Sequence, residues 1–203
     1  MALLDWIAPE SGLRVEGAGV WLRPPRASDY TAWRELRAVS RAFLQPWEPT
    51  WPADDLSRAA FRRRLLAYAR DREVGAAYPF FIFRASDDAL TGGITLSNVR
   101  RGVAQMGSVG YWCGQPFARQ GLTLAAVRAL GEFSFRSLGL HRLEAACIPE
   151  NRASRDLLAK AGFEEEGFAK AYLKINGAWR DHVLFGRTNP YARDDGPDDG
   201  VSV

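Results

Sequence analysis

The segment from Val109 to Leu130 constrains the fold more than any other part of the chain. An apolar run ends near Cys113, a glycine and a proline then interrupt the chain, and an apolar helix follows a short loop that carries Arg119, Gln120 and Gly121. A strand that passes through such a turn into a helix directs several free backbone N–H groups, and the positive end of the helix dipole, at one point. Such an arrangement binds anions, most often phosphate groups. The sequence therefore predicts a site for a phosphate-bearing ligand at this loop.

Length and hydrophobicity indicate one globular domain. The chain has 203 residues, of which 47% are hydrophobic, as in proteins with a full core. We predict a single domain over residues 1–189 and an acidic, disordered tail over residues 190–203, where four aspartates and two glycines follow a proline. No apolar run approaches the roughly 20 residues that span a bilayer, and the first residues lack the basic segment of a signal peptide. We therefore expect a cytoplasmic protein with no membrane partner.

Cysteine, histidine and charge argue against other classes of protein. The chain has two cysteines and two histidines, too few for a zinc cluster, so no metal is expected and both thiols are predicted to be reduced and buried. The net charge is +3 and the positive residues are spread along the chain. Direct nucleic-acid binding is therefore not expected. The sequence also lacks the P-loop G-x-x-x-x-G-K-[ST], the dinucleotide motif G-x-G-x-x-G and the nucleophile elbow G-x-S-x-G.

Hydrophobic patterns and turn residues predict one mixed α/β (α+β) sheet. The element order is β-α-α-β-β-β-α-β-α-β-β, in which a three-strand meander precedes a single β-α-β unit and a hairpin ends the chain. The predicted strands span residues 20–23, 78–84, 91–99, 104–113, 141–148, 163–174 and 179–187. The predicted helices span residues 28–42, 54–72, 121–138 and 151–161, with Ser28-Asp29, Asp54-Asp55 and Asn151 as N-terminal caps.

A tryptophan-rich segment lies between the first two helices. Three prolines interrupt residues 43–52, which excludes regular structure there. Exposed tryptophans on a loop suggest a wall of a substrate site. Trp47 and Trp51 are therefore expected either to form such a wall or to fix the loop to the core.

Several motifs recur in one known group of enzymes. The anion loop carries Arg119-Gln-Gly-Leu-Thr123, and the runs His141-Arg-Leu-Glu-Ala and Pro149-Glu-Asn-Arg-Ala-Ser154 follow it. The hairpin sequence from Gly162 to Leu184, and the run Phe43-Leu-Gln-Pro-Trp-Glu-Pro49, continue the pattern. Together they resemble the GNAT acetyltransferase superfamily and, within it, the RimJ-type ribosomal-protein-alanine N-acetyltransferases. One departure is Ala118, which stands where the family loop has arginine or glutamine.

The resemblance implies a GNAT fold with acetyl-CoA as cosubstrate. In this family the fourth strand of the order given above separates from the fifth, and the pantetheine arm bonds to the free edge of the fourth. The expected contacts to acetyl-CoA are the main chain of Tyr111, Trp112 and Cys113, the side chain of Asn151, and the backbone N–H groups of Arg119, Gln120, Gly121, Leu122 and Thr123.

The resemblance also implies direct attack of an amine on the thioester in a ternary complex, and it assigns catalytic residues. Glu166 is the candidate base and Glu144 the second candidate. We expect Glu164 and Glu166 to share a strand face, which would raise the pKa of one carboxyl. Many family members protonate the leaving thiol with a tyrosine at the position of Leu158, and Ser154, on the same helix face, is the candidate here.

The acceptor implied by the resemblance is a protein N-terminus, with an alanine-starting ribosomal protein as the expected partner. Trp47 and Glu48 are the candidate substrate-binding residues. Two alternatives stay open at this point: the same chemistry on a small-molecule amine or a lysine, and a CoA-binding or ribosome-associated regulator with little catalysis. The absence of the family tyrosine allows the second alternative. The sequence is compatible with a monomer or a homodimer.

Overall fold

One mixed sheet of eight strands forms the centre of the protein in a computed structural model that describes residues 12–192. The strands are β1 Val15–Gly17, β2 Val20–Arg23, β3 Tyr78–Arg84, β4 Leu90–Arg100, β5 Met106–Cys113, β6 Arg142–Cys147, β7 Glu164–Ile175 and β8 Ala178–Thr188. The helices are α1 Tyr30–Val39, α2 Arg41–Leu44, α3 Arg58–Glu73, α4 Leu122–Glu132 and α5 Arg152–Lys160. This order confirms the predicted mixed sheet.

The sheet opens between β5 and β6, the one pair of neighbouring strands over residues 12–192 that run parallel. The strand order is β1-β2-β3-β4-β5-β6-β8-β7, and every neighbouring pair except β5 and β6 is antiparallel. β5 and β6 pair from Met106–Arg142 only as far as Ser108–Glu144. Beyond that point β5 stays paired with β4 and β6 stays paired with β8. The remaining ends of β5 and β6 therefore separate and turn unpaired backbone edges toward each other, as the resemblance implied.

Apolar residues cover both faces of the sheet, which explains why β3 reads as a continuous apolar run. Phe80 and Ile82 of β3 pack into the larger core, together with α4 and α5. Phe81 and Phe83 point to the other face, into a smaller aromatic core with Trp33 of α1 and a phenylalanine of α3. The sheet thus has an α4–α5 face and an α1–α3 face, and a ligand that enters the β5–β6 gap is accessible from both.

Several predicted local features were wrong. The strand β1 was not expected. Ser57, rather than Asp54-Asp55, caps α3 by accepting a hydrogen bond from the Ala60 N–H at 3.0 Å. The aspartates instead pair with arginines one to two turns into α3. Asp29 precedes α1 but makes no cap bond to it, because its carboxylate binds the Arg23 guanidinium.

The segment 43–52 is also more regular than expected. α2 extends to Leu44, and a 3-10 turn follows over Gln45–Trp47, with its proline at the start of the turn. Proline is tolerated there because the first N–H groups of a helical turn have no internal acceptor. The rest of the segment has no regular structure, as predicted.

Leu158 of α5 provides a test of the larger core, because its side chain is fully buried there. We expect Leu158→Ala to lower the free energy of unfolding by about 2–5 kcal/mol, since the shortened side chain leaves a cavity. Urea unfolding measures this quantity. The matched control is Val103→Ala at a fully exposed position, with an expected change within about 0.5 kcal/mol. Equal losses in both variants would contradict the assignment of Leu158 to the core.

Candidate active site

The loop before α4 has the backbone shape of an anion site. Arg119 and Gly121 both adopt positive φ angles, of 62° and 78°. The helical hydrogen bonds of α4 begin with the Ala125 N–H, which donates to the Gly121 carbonyl at 3.0 Å. The N–H groups of Leu122 and Thr123 therefore precede the first intrahelical bond and lie at the positive end of the helix. Apart from Gly121 itself and its two chain neighbours, no heavy atom of the described chain lies within 4 Å of a Cβ placed on Gly121, so the loop faces open space.

Side chains hold this loop in place and leave its main chain free. The Gln120 Nε2 donates to the Pro116 carbonyl at 3.0 Å, and the Gln120 Oε1 accepts from Arg84 at 3.4 Å. The Thr123 side chain, at the start of α4, partly offsets the rise that burial causes in the pKa of the Cys113 thiol at the end of β5. The anion loop therefore lies beside the strand that borders the β5–β6 gap.

A pair of hydroxyl groups lies beside the separated strands. The Tyr111 hydroxyl of β5 is 2.8 Å from the Ser154 Oγ of α5. Asn151 caps α5 by accepting the Ser154 N–H at 3.1 Å, which fixes the position of the serine. The buried Cys147 thiol lies at the end of β6, and Ser154 partly offsets the rise that burial causes in its pKa. The structure thus brings the predicted Ser154 and Asn151 together at the α4–α5 face of the gap.

The environment of these groups keeps their protons bound. Burial raises the pKa of the Tyr111 phenol well above its ordinary value, and the hydrogen bond to Ser154 offsets part of that rise. Burial likewise raises the pKa of the Cys147 thiol. At neutral pH both groups are therefore protonated and able to donate hydrogen bonds.

The side-chain contact between Tyr111 and Ser154 was not predicted, because the resemblance implied only main-chain contacts for Tyr111. A signal was present at Leu158, where the family tyrosine is absent. Leu158 carries no hydroxyl and is fully buried in the core, so a hydroxyl beside Ser154 comes from another element. Tyr111 lies on the face of β5 that points toward α5, and the alternation of side chains along β5 predicts this position.

The predicted acids lie on the opposite face of the sheet. Leu143 and Cys147 of β6 point into the larger core, so Arg142 and Glu144 alternate to the α1–α3 face. Arg142 donates to Glu166 through both terminal nitrogens, one of them at 2.9 Å, and its Nε lies 3.4 Å from Glu144. Both candidate bases are therefore arranged around one guanidinium at the paired end of the β5–β6 gap.

The expected rise in a carboxyl pKa on β7 was wrong. The hydrogen bonds from Arg142 lower the pKa of Glu166 below its ordinary value. Glu165 points away from Glu166 and pairs with Arg155 of α5 at 2.9 Å, as the alternation of a strand predicts. Glu166 meets Arg142 across Gly186 of β8. The positive charge of Arg142 favours the ionised form of Glu166, which is why its pKa falls and does not rise.

A cavity of about 400 Å³ lies on the α1–α3 face, between the proline-rich segment 43–52 and strands β3, β4 and β5. The Arg37 guanidinium binds Glu48 through two bonds of 2.7 Å, and the Trp51 Nε1 donates to the same carboxylate at 2.7 Å. The guanidinium also stacks 4.0 Å from the Trp51 ring and 5.0 Å from the Trp112 ring. Glu48 and Trp51 thus form a rigid wall of the cavity.

Trp51 and Trp47 differ in how they meet the two expectations, a wall of the site or a fixed loop. Trp51 both fixes the loop and lines the cavity. Trp47 is 38% exposed and does not line it. The β7–β8 turn holds the segment that lines the cavity, because the Asn176 N–H donates to the Glu48 carbonyl at 2.8 Å and Gln45 donates to the Asn176 Oδ1 at 3.3 Å. Glu48 is therefore fixed by two parts of the chain, α1 and the β7–β8 turn.

The described residues contain neither a set of metal ligands nor a helix that could span a membrane. Within residues 12–192, no three histidine, cysteine, aspartate or glutamate side chains come together as a set of metal ligands. None of the helices over the same range is both long and apolar enough to cross a membrane. The predicted tail falls largely outside these residues. Of its described part, the Tyr191 hydroxyl donates to Glu132 at 2.9 Å.

Known proteins are similar to this chain in both sequence and fold. A family model described as an acetyltransferase (GNAT) domain matches residues 20–164. The probable N-acetyltransferase YjcK of Bacillus subtilis is 34% identical over 87% of this chain and 97% of its own. The ribosomal protein uS5-alanine N-acetyltransferase of Escherichia coli is 38% identical over 80% of this chain and 84% of its own. The structure of Mycobacterium smegmatis RimJ in complex with CoA-disulfide superposes with a TM-score of 0.83 at 33% identity and covers 88% of each chain.

Gly121 tests the anion loop. We expect Gly121→Ala to weaken acetyl-CoA binding by roughly 5- to 30-fold, because a left-handed conformation costs a residue with a Cβ about 1–2 kcal/mol. Isothermal titration calorimetry measures the affinity. Gly167→Ala is the matched control, since Gly167 lacks a positive φ and a Cβ there meets nothing within 4 Å. Unchanged affinity in Gly121→Ala would argue against binding at this loop.

Proposed function

Since the chain belongs to the GNAT acetyltransferase family, we propose that it transfers the acetyl group of acetyl-CoA to the N-terminal α-amino group of a protein. The observation that carries the proposal is the β5–β6 gap, whose β5 edge leads to the anion loop and also lines the cavity of the α1–α3 face at Gly110, Tyr111 and Trp112. A thioester held in the gap is accessible to an amine from the cavity. The acceptor thus attacks from the side opposite the hydroxyl pair.

Acetyl-CoA fits the residues that surround the gap. The free N–H groups of residues 119–123 suit its diphosphate, and the unpaired edge of β5 over Tyr111, Trp112 and Cys113 suits the amide groups of its pantetheine arm. Asn151 at the start of α5 borders the same gap. A main-chain N–H of the β5 edge would stabilise the oxyanion that forms when the amine attacks.

The acceptor amine explains why a weak base is sufficient. An α-amino group has a pKa of about 7.7–8.0, so roughly a tenth or more of it is neutral at pH 7, whereas a lysine has a pKa of about 10.4. Glu166 and Glu144 are both held by Arg142 on the α1–α3 face, which is the acceptor face of this proposal. In our proposal Glu166 accepts the proton of the attacking amine through water, and Glu144 helps to hold Arg142 in place. The lowered pKa of Glu166 makes it a weak base. A weak base is sufficient for an α-amino group but not for the deprotonation of a lysine.

Ser154 and Tyr111 account for the leaving thiolate. We assign to the Ser154 hydroxyl the hydrogen bond that stabilises the sulfur as the thioester opens. Tyr111 supports the serine and supplies a buried, protonated phenol behind it. The pair replaces the tyrosine that other family members carry at the position of Leu158.

The proposed acceptor is an alanine-starting protein such as a ribosomal protein, encountered in the cytoplasm. The support is the 38% identity with an enzyme named for alanine of ribosomal protein uS5. Trp51 and Glu48 form the wall that the first residues of the acceptor would follow, while the exposed Trp47 is available to residues farther along.

An assay with three acceptors tests the reaction. We expect release of free CoA thiol with a peptide that starts with alanine, and little release with the same peptide when its N-terminus is blocked and a lysine is present. The physical reason is the difference in amine pKa given above. A panel of small-molecule amines is the third arm. Turnover of the blocked lysine peptide or of a small amine, without turnover of the alanine peptide, would refute the proposed function.

The hydroxyl pair gives a second test. We expect Ser154→Ala and Tyr111→Phe each to lower kcat by roughly tenfold to a hundredfold, with little change in acetyl-CoA affinity. Because the two groups act through one hydrogen bond, the double variant should lose less than the product of the single losses. Steady-state kinetics measures these values, and Ser137→Ala, at an exposed position, is the control. A Ser154→Ala enzyme with unchanged kcat would remove Ser154 from the mechanism.

A further inference from the structure

Two neighbouring aspartates before α3 form the same kind of ion pair in very different surroundings. Asp54 pairs with Arg63 at 2.6 Å, and both side chains are more than half exposed. Asp55 pairs with Arg64 at 2.8 Å, but Asp55 is only 9% exposed and both residues line the cavity of the acceptor face. The two pairs have the same spacing in sequence. Asp55 is therefore more buried than Asp54 because it faces the cavity, whereas Asp54 faces away from it.

The buried pair leaves one oxygen of Asp55 without a partner. Arg64 binds Oδ1, whereas Oδ2 is buried and accepts no hydrogen bond. A buried carboxylate oxygen in this state is unfavourable and is rare in folded proteins. Arg37, which also lines this cavity, carries a second such atom, because its Nε is a buried donor without an acceptor. One unused acceptor and one unused donor on two residues that line a single cavity indicate a ligand that offers both an N–H and a carbonyl.

The charges of the cavity narrow the chemistry of that ligand. Asp55 is neutralised by Arg64, and Arg37 is neutralised by Glu48. An additional charged group would therefore find no net opposite charge. A neutral main-chain amide matches the two unused atoms better than an ammonium group does, because it offers one donor and one acceptor without a charge.

The extent of the cavity fits the start of an extended peptide. Its lining runs from Asp55 and Arg64, across residues of β3 and β4, to Gly110 and Tyr111 of β5. Three adjacent strands at about 4.8 Å spacing span roughly 10 Å, which is the length of about three extended residues. An acceptor whose amine reaches the β5–β6 gap therefore has its first amides near Asp55.

We propose that Asp55 is a specificity-determining residue, whose free carboxylate oxygen accepts a hydrogen bond from a main-chain N–H within the first three residues of the acceptor peptide. Arg37 donates from its Nε to a carbonyl of the same segment. This inference rests on the proposed function and names the contact that separates a peptide from a simple amine. A small amine without an amide would leave both atoms unpaired.

The test combines a conservative variant with altered peptides. Asp55→Asn retains the oxygen that Arg64 binds and replaces the free acceptor with a donor. We expect the KM for an alanine-starting peptide to rise roughly tenfold to a hundredfold, with small changes in kcat, in acetyl-CoA affinity by calorimetry and in Tm. Asp54→Asn is the matched control and should leave all four values unchanged.

Ester-containing peptides identify the contact directly. Two analogues of the alanine peptide replace the N–H of residue 2 or of residue 3 with an ester oxygen. We expect one of them to show the raised KM with the unmodified enzyme and to show no further increase with Asp55→Asn. The inference is overturned if neither ester affects the unmodified enzyme, or if Asp55→Asn and the ester raise KM independently. Failure of the unmodified enzyme to acetylate any peptide would instead refute the proposed function, so the two failures are distinguishable.

Discussion

The end of pairing between β5 and β6 is the constraint on which the rest of the site depends. Each strand keeps its outer neighbour, so the sheet remains intact while two inner backbone edges lose their partners beyond Ser108 and Glu144. Unpaired backbone groups in a sheet need other partners, and an extended ligand with amide groups can supply them. The same separation gives access to both faces, so the donor and the acceptor of a group transfer can meet in the gap without sharing one pocket.

The acceptor face depends on interactions that are distant in sequence. Arg37 of α1 binds Glu48 and stacks on Trp51, and the β7–β8 turn bonds to the Glu48 carbonyl through Asn176. A buried ion pair of this kind adds little net stability, but its bidentate geometry fixes the direction of the loop. The cavity wall is therefore positioned by one arginine, which explains how a proline-rich segment becomes part of a rigid site.

The sequence predicted the elements well and the side-chain partners less well. The bounds of β3 were predicted correctly, because an apolar run buried on both faces is bounded by polar residues and turns. The turn before α4 was also predictable, since Gly121 lies between a strand and a helix. The partner of Glu166 was not, because Arg142 and Glu166 lie on strands far apart in sequence and meet across Gly186 of β8. Asp55 was predicted to be a helix cap, because its residue type and place before α3 favour that role. Its burial was not predictable, because burial there depends on how the loop folds over the sheet.

The absence of the family tyrosine at Leu158 was the main argument for a regulator with little catalysis, and the structure weakens that argument. Leu158 belongs to the core, while Tyr111 brings a phenol to Ser154 from the neighbouring strand. A leaving thiolate needs a protonated donor in a fixed position, whichever element carries it. The burial that raises the pKa of Tyr111 keeps its proton, and the Asn151 cap holds the serine in place. In the proposed mechanism, Ser154 and Tyr111 therefore supply the protonated donor that a tyrosine at position 158 supplies in other family members.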